Sequence, residues 1–448
     1  MSISELAKSA KKASITLAAV KTEVKNQALS EIAQALRQNS EAIITANQQD
    51  LVTAQENNLT APLLKRLKFD ESKIEQVIAG IETLIKLEDP VGKTLAATEL
   101  DTGLELYKVT CPIGVIGLVF ESRPDALVQI STLCLKSGNA CLLKGGSEAA
   151  KTNRILTATI ARAGAKAGLL NGWIQLLETR EDVAAMLALD EYIDLVVPRG
   201  SNEFVRYIMN NTNIPVLGHA DGICHVYVDG EADIDMAVRI TVDSKCQYVA
   251  VCNAAETLLV DSKIAKEFLP KAKAAFEQNG CKLRGCTKTA AIIEVEPATE
   301  KDWSTEYLDY IISIKVVDGL EEAIAHINKY GSKHTDAIVT SNREKAEKFM
   351  SLVDSADVFW NCSTRFSDGY RYGFGAEVGI STNKIHARGP VGLEGLIIYK
   401  YKLLGKGQIV ADYSGPNAKK FTHKKLWLDA RGSDLLKKCH CEEIDRPI

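Results

Sequence analysis

The chain has 448 residues, enough for two or three domains of ordinary size, so burying a large core presents no difficulty. Lys+Arg number 54 against Asp+Glu 58, and the resulting net charge of −4 excludes an electrostatic case for nucleic acid or an anionic membrane, leaving a small molecule as the default ligand. No apolar run approaches the ~18 residues of a membrane span, and the opening MSISELAKSAKKASITLAAV lacks the unbroken apolar stretch of a signal peptide, so it reads as a surface helix.

From Ser4 to Asp89 the periodicity is helical. Leu29, Ile32, Ala33 and Leu36 form one apolar stripe, and Ile74, Val77, Ile78, Ile81 and Leu84 another. VGKT at 91–94 ends like a phosphate-binding loop, but Leu87 stands where the leading glycine belongs and no strand precedes it. A short polar segment, 99–105, follows. Apolar strands are then expected at 114–120, 140–144, 173–177 and 194–197, with helices around 127–136, 149–163, 182–189 and 202–209. This alternation predicts an α/β fold, a largely parallel sheet covered on both faces that binds nucleotides at the carboxyl ends of its strands. The GxGxxG fingerprint is absent. Two strand ends carry suitable chemistry instead: Lys144, Gly145, Gly146, Ser147 and Glu148 in LLKGGSEA, and Arg199, Gly200 and Ser201 in VVPRGSNEF. Glycine admits a pyrophosphate to the backbone and a helix amino end offers it N–H groups, although the same turns also serve as plain helix caps.

A second α/β series is expected from a strand at 223–229. Ile234, Ala237, Val238 and Val242 recur at helical spacing, and KCQYVAVCNAAETLLV leads into a strand-like run at 258–260. Helices at 263–278 and 319–330, strands at 310–317, 337–341 and 358–361, and a helix ending at Leu352 complete it. Cys252 thus lies at a junction. Backbone N–H groups at a helix end there would favour its thiolate and hold a developing oxyanion, whereas a lone cysteine is ordinarily just a small buried apolar residue. Gly- and Arg-rich loops occupy 365–395, a strand-like run 396–404, and a charged tail begins near Lys419. Eleven scattered cysteines suit a reducing cytoplasm, and Cys439, His440 and Cys441 make only part of a metal site, so no metal is expected.

CPIGVIGLVFESRPD, LLKGGSEA, GICHVYVD and CNAAETLLV resemble segments of the aldehyde dehydrogenase superfamily. VVDGLEEAIAHINKYGSKHTDAIVT, with His326, His334, Thr335 and Asp336 at signature spacing, and STRFSDGYRYGFGAEVGISTNKIHARGPVGLEGL narrow the resemblance to the gamma-glutamyl phosphate reductases, over nearly the whole chain to residue 415. The resemblance implies a Rossmann-type NADPH-binding domain (1–98 and 112–226), an α/β catalytic domain (227–396), an oligomerisation arm (99–111 and 397–420) and a tail (421–448). It further implies NADPH as hydride donor, L-glutamyl 5-phosphate as substrate, a homodimer or homotetramer, and, because that acyl phosphate is labile, association with glutamate 5-kinase. The nucleophile falls on Cys252: thiolate attack would expel phosphate, hydride addition would reduce the thioester, and collapse would release an aldehyde.

Departures from the superfamily refine the expectation. Hydrolytic members carry a glutamate that activates water, and His219 stands at that place, so a phosphate-linked reductase is favoured over a hydrolytic NAD(P)-dependent semialdehyde dehydrogenase. A third reading, an inactive nucleotide-binding scaffold, requires Cys252 to be dispensable. Arg123, beside Ser122, replaces an oxyanion-holding asparagine; it is a candidate for the phosphoryl group or the oxyanion, and equally for a salt bridge to a carboxylate. Asn361, Ser363, Thr364 and Arg365 are candidates for the amino-acid portion of the substrate, with Arg365 on the α-carboxylate. His334 is either a substrate contact or a structural hydrogen-bonder, Glu256 an acceptor without a chemical role, and Lys144 and Arg180 candidates for a 2′-phosphate.

Overall fold

A computed structural model describes residues 2–218 and 221–426, apart from the side chains of Pro62 and Arg180; His219 and the Cys439–Cys441 cluster lie outside the described residues. The chain divides into two compact units. One comprises Met1–Val196, Thr212–Pro215 and the chain from Leu393 on, and the other Val197–Asn211 and Val216–Gly392.

The first unit opens with five helices, α1 (Ile3–Leu17), α2 (Thr22–Gln38), α3 (Ser40–Glu56), α4 (Ala61–Leu67) and α5 (Glu71–Lys86). Ser2 and Glu5 form a reciprocal capping box on α1, and Asp70 accepts from the Lys73 amide to start α5. Both expected apolar stripes are buried. The segment read as polar, by contrast, is a β-hairpin: β1 (Thr94–Asp101) and β2 (Leu104–Pro112) pair antiparallel, with Glu99 opposite Glu105 and Gly103 turning at φ 73°. Its side chains are mostly half-exposed on both faces, so no apolar stripe marked it.

Next come β3 (Val115–Phe120), α6 (Pro124–Lys136), β4 (Ala140–Lys144), α7 (Ala150–Lys166), β5 (Ile174–Leu177), α8 (Arg180–Leu187) and β6 (Leu195–Arg199). The strand order is β5-β4-β3-β6, and β4 runs parallel to both neighbours. Every residue of β3 and β4 is buried, which is why their sequences are continuously apolar. Asn139 pins the entry to this sheet, accepting from the Gly114 amide at 2.8 Å and donating to the Leu396 carbonyl at 2.7 Å.

The second unit contains α9 (Asn202–Asn210), β7 (Cys224–Val228), α10 (Ile234–Cys246), β8 (Ala255–Asp261), α11 (Ala265–Gln278), β9 (Lys282–Gly285), α12 (Thr287–Ala290), β10 (Glu296–Pro297), β11 (Ile311–Val317), α13 (Leu320–Tyr330), β12 (Thr335–Val339), α14 (Arg343–Leu352) and β13 (Asp357–Trp360). Seven of its strands form a sheet in the order β10-β9-β11-β8-β7-β12-β13, parallel throughout. Alternate residues serve opposite cores. Val226, Leu258 and Ile314 pack with Phe268 and Phe276 of α11, while Tyr227, Leu259 and Ile338 pack with Ile324 of α13 and Phe349 of α14. Truncating a ring such as Phe276 to alanine would cost about 3–5 kcal/mol. A small hairpin, β14 (Gly379–Ser381) with β15 (Gly389–Val391), lies in the loop-rich stretch. Finally β16 (Ile397–Leu404) and β17 (Lys424–Lys425) flank the first hairpin, giving a sheet ordered β16-β2-β1-β17 within the first unit.

Candidate active site

Cys252 occupies the turn between α10 and β8. Cys224, the first residue of β7, and Gly222, just before it, hold the backbone of Cys252. The Cys224 thiol donates to the Cys252 carbonyl at 3.2 Å, and Gly222 lies so close that a Cβ there would sit 2.1 Å from the same oxygen. Only glycine permits that approach. Because β8, β7 and β12 are consecutive in the sheet, the residue just before β12 comes to the same end as Cys252. That residue is His334, fully buried, with Nε2 3.1 Å from the Cys252 Sγ and Nδ1 2.7 Å from the Thr335 hydroxyl.

The electrostatics oppose a resting thiolate. Burial, reinforced by the carboxylates of Glu306 and Glu377, pushes the Cys252 thiol up to about 12, against weaker help from its own backbone N–H and from Arg365. The preceding helix, α10, offers its carboxyl end and not its amino end. The expected helix-end assistance is therefore absent among the described elements, and a base within reach becomes the important feature. Glu306 accepts from Asn202 Nδ2 at 2.7 Å and Glu377 from the Gly369 amide at 2.7 Å; burial raises both carboxyls above their usual range. Sequence reasoning missed these two: Glu306 lies outside every motif, and Glu377, although within the GFGAEVGIST block, carries no local pattern that singles it out.

The loop after β13 clamps the nucleophile segment. Thr364 Oγ1 donates to the Asn253 carbonyl at 2.7 Å, Asn253 Nδ2 donates to the Ser367 carbonyl at 2.8 Å, and the Ser363 and Ser244 hydroxyls meet at 3.2 Å. Asn361, at φ 56°, turns inward: its amide nitrogen donates to the Thr340 carbonyl and its oxygen accepts from the Thr340 amide, both at 2.9 Å. These three side chains build the turn. Arg365 differs, being buried, bonded through Nε to Gln247 Oε1 at 3.0 Å, and electrostatically coupled to Cys252. Beneath the turn, Lys245 and Glu256 form a fully buried ion pair at 2.6 Å, and burial lifts the Glu256 carboxyl to about 7 despite the neighbouring ammonium.

In the first unit, the ends of β3 and β4 bring together two of the expected groups. Glu148 accepts from both the amide and the hydroxyl of Ser122, at 2.6 and 2.5 Å, and Gly146 leaves room for that carboxylate, since a Cβ would fall 1.9 Å from its Oε1. The buried Lys144 ammonium donates to the Gly145 carbonyl, while Ser147 is exposed. Arg123 pairs with Asp125 at 3.0 Å, the salt-bridge alternative, with its side chain still 42% exposed. Arg199, Gly200 and Ser201 belong to the second unit, where the Ser201 hydroxyl caps α9 by accepting from the Phe204 amide at 3.4 Å and Arg199 acts on Glu377 and Tyr370. Arg180 begins α8.

Comparison with known proteins places this arrangement. Residues 1–295 match the aldehyde dehydrogenase family. The gamma-glutamyl phosphate reductase of Pelotomaculum thermopropionicum is 67% identical over 426 residues, spanning 95% of this chain and 98% of that one. That of Methanosarcina acetivorans is 56% identical over 429 residues, 93% of this chain and 96% of the other. The crystal structure of gamma-glutamyl phosphate reductase from Thermotoga maritima superposes with a TM-score of 0.89 at 42% identity, covering 91% of this chain and 99% of that one. The chain therefore belongs to the aldehyde dehydrogenase family and, within it, to the gamma-glutamyl phosphate reductases.

Proposed function

We propose that this chain reduces L-glutamyl 5-phosphate to L-glutamate 5-semialdehyde and phosphate with NADPH, through a thioester on Cys252, as the second step of proline biosynthesis from glutamate. The observation that carries the thioester is the 3.1 Å contact between Cys252 Sγ and His334 Nε2. With the thiol held protonated by burial and two carboxylates, His334 takes the proton as Sγ attacks the acyl carbon. Phosphate leaves with the electrons of the C–O bond, and the thioester forms. NADPH, when bound, would supply the hydride that reduces this thioester. As the resulting hemithioacetal collapses, the C=O bond re-forms, the C–S bond breaks, and His334 returns its proton to sulfur. Arg365, a buried cation coupled to Cys252, receives an anionic group of the substrate.

The strand ends of the first unit suit NADPH in their donor set. Lys144 is a buried cation and Glu148 a carboxylate held by Ser122, the pair of charges that a ribose hydroxyl and a phosphate take up. Lys144 through Glu148 would hold the cofactor; Arg199 and Gly200 remain candidates, while Ser201 serves α9 as its cap. Ser122, with both its donors on Glu148, and Arg123, paired with Asp125, are engaged within the first unit, so the phosphoryl or oxyanion role expected of them is given to neither. A cytoplasmic setting accords with nine unpaired cysteines among the described residues. The edge strand β16 exposes Ile398, Tyr399, Tyr401 and Leu403, which supports a homodimer or dimer of dimers built through it. Glutamate 5-kinase, as the source of a labile acyl phosphate, is the expected partner.

The decisive experiment runs the reaction backwards, following NADP reduction by glutamate 5-semialdehyde with and without inorganic phosphate. Phosphate-dependent turnover abolished by Cys252→Ala is expected. Turnover without phosphate would instead indicate a hydrolytic dehydrogenase, and activity surviving in Cys252→Ala would remove the thioester.

A further inference from the structure

Along the end of α10, Arg239, Asp243 and Gln247 recur at every fourth residue, which stacks them on one face of the helix. Gln247 is the cap, and its amide still donates to the Asp243 carbonyl at 3.3 Å, so the helical spacing holds to the last of the three. All three line a cavity of about 380 Å³ whose opposite wall includes Ala275 and Asn279 of α11. That volume lies in the range of small-molecule sites. Gln247 also accepts from Arg365 Nε at 3.0 Å, so one side chain is common to this cavity and to the buried cation of the nucleophile's surroundings.

The carboxylates around Arg365 are not equally occupied. Asp368 accepts from the Tyr370 and Arg371 amides, each at 3.0 Å, and pairs with the Arg371 guanidinium at 3.3 Å. Glu306 and Glu377 accept from Asn202 and from the Gly369 amide. Asp243 is exposed, and among the described residues no hydrogen bond or ion pair engages its carboxylate, not even from Arg239 one turn earlier. One helical turn separates it from Gln247, about 5–6 Å between their Cβ atoms. The ammonium and carboxylate of an α-amino acid stand on a single carbon. A ligand whose carboxylate lies on the guanidinium beside Gln247 therefore brings its ammonium within reach of Asp243.

We propose that Asp243 is a specificity-determining residue that accepts the α-ammonium of the glutamyl substrate while Arg365 takes its α-carboxylate. The inference rests on the reading of Arg365 as the receiver of that carboxylate and deepens it by assigning the other charged group on the same carbon. An ammonium that gives up part of its water needs an anionic acceptor, and a carboxylate without a partner of its own can turn to it without breaking an existing bond. The pairing selects an α-amino acid over an acid of equal length that lacks the amino group, because the second leaves Asp243 facing no cation. Gln247 contributes by holding the Arg365 guanidinium at the end of the same helical stripe.

The test follows phosphate-dependent NADP reduction by the full chain with two aldehydes, glutamate 5-semialdehyde and 5-oxopentanoate, which is the same molecule without its amino group. Wild type is compared with Asp243→Asn, Asp243→Glu and Arg365→Ala. In kcat/KM the wild type should prefer the amino-bearing aldehyde by at least about tenfold. Asp243→Asn keeps the size and removes the charge, so the preference should fall to less than about threefold, through a higher KM for glutamate 5-semialdehyde with kcat changed by less than about threefold. Asp243→Glu, which restores the charge, should keep part of the preference. Arg365→Ala should raise the KM of both aldehydes, since both carry the carboxylate. The ratio between the aldehydes is the readout that a merely structural role would not move, because a disturbed helix end slows both alike. A preference that persists in Asp243→Asn would overturn the role of Asp243, and so would a wild type that uses the two aldehydes equally; in either case Arg365→Ala still raises both KM values. Unchanged KM values in Arg365→Ala would instead overturn the carboxylate reading, and the inference with it.

Discussion

Replacing His334 by alanine isolates the proton transfer proposed between it and Cys252. Burial and two carboxylates push the Cys252 thiol up to about 12, so at neutral pH the thiolate is far scarcer than for an unperturbed cysteine. An enzyme waiting for that minority species would be slow. With Nε2 at 3.1 Å the proton need not reach solvent before sulfur attacks, and a positioned base of this kind is worth roughly 10²–10⁴-fold. His334→Ala should therefore lower kcat/KM by that factor at pH 7, measured as phosphate-dependent NADP reduction by glutamate 5-semialdehyde. The variant should also recover with base. Its only route to thiolate is loss of the proton to solvent, so log kcat/KM should climb with a slope near one across the alkaline range below the thiol's own pKa. The wild type, with its acceptor in place, should depend on pH less steeply. Alkylation by iodoacetamide gives the same comparison without substrate. A variant within about threefold of wild type at pH 7, and with the same slope, would refute the argument.

Arg365→Ala should raise the KM for glutamyl phosphate by at least about tenfold and slow alkylation of Cys252, since a cation that favours the thiolate is lost; an unchanged KM would remove Arg365 from the substrate. Glu306→Gln should do the opposite to the thiol, speeding alkylation by roughly threefold to tenfold at pH 8 by removing a carboxylate that raises it. Lys245→Met leaves Glu256 buried without its cation and should cost about 3–5 kcal/mol in urea unfolding at pH 8, with Lys245→Met/Glu256→Leu recovering part of the loss. The sign with pH follows from Glu256 itself. Its carboxyl is raised to about 7 in the fold, so the stability tied to its protonated form is present below the usual carboxyl range and is lost as pH rises through 7. The single variant should accordingly suffer less at pH 5 than at pH 8, and equal losses at both would show that Glu256 does not titrate there.

What the sequence made legible was whatever one-dimensional pattern burial imposes. Strands buried on both faces, such as β3 and β4, read as continuous apolar runs, and helices such as α5 as stripes. The β1–β2 hairpin escaped because neither of its faces is fully covered, so charges and leucines interleave as they would in a loop. The strand β8 was placed at its apolar half only; Ala255 and Thr257 join it through pairing with Cys224 and His225, a contact no local pattern records. At the site, Cys252 and His334 were singled out, yet the relation between them was not. It depends on the strand order β8-β7-β12, which brings together residues 82 positions apart.

The same reasoning explains why the carboxylate of Asp357 left no signal at all. In the sequence it is one acid between Ala356 and Val358, at the start of a short strand, and every property assigned to it comes from register. Sliding β13 by one residue against β12 would turn its side chain to the other face of the sheet and bring Val358 opposite Thr335. Nothing in the nucleophile segment would have changed, yet the Ser367 and Tyr372 hydroxyls would have lost the carboxylate they share. The chemistry of the site is therefore specified in two registers at once. Residues with intrinsic reactivity can be found by type and motif, whereas the groups packed around them are fixed by which strand lies beside which, and become visible only when the sheet is assembled.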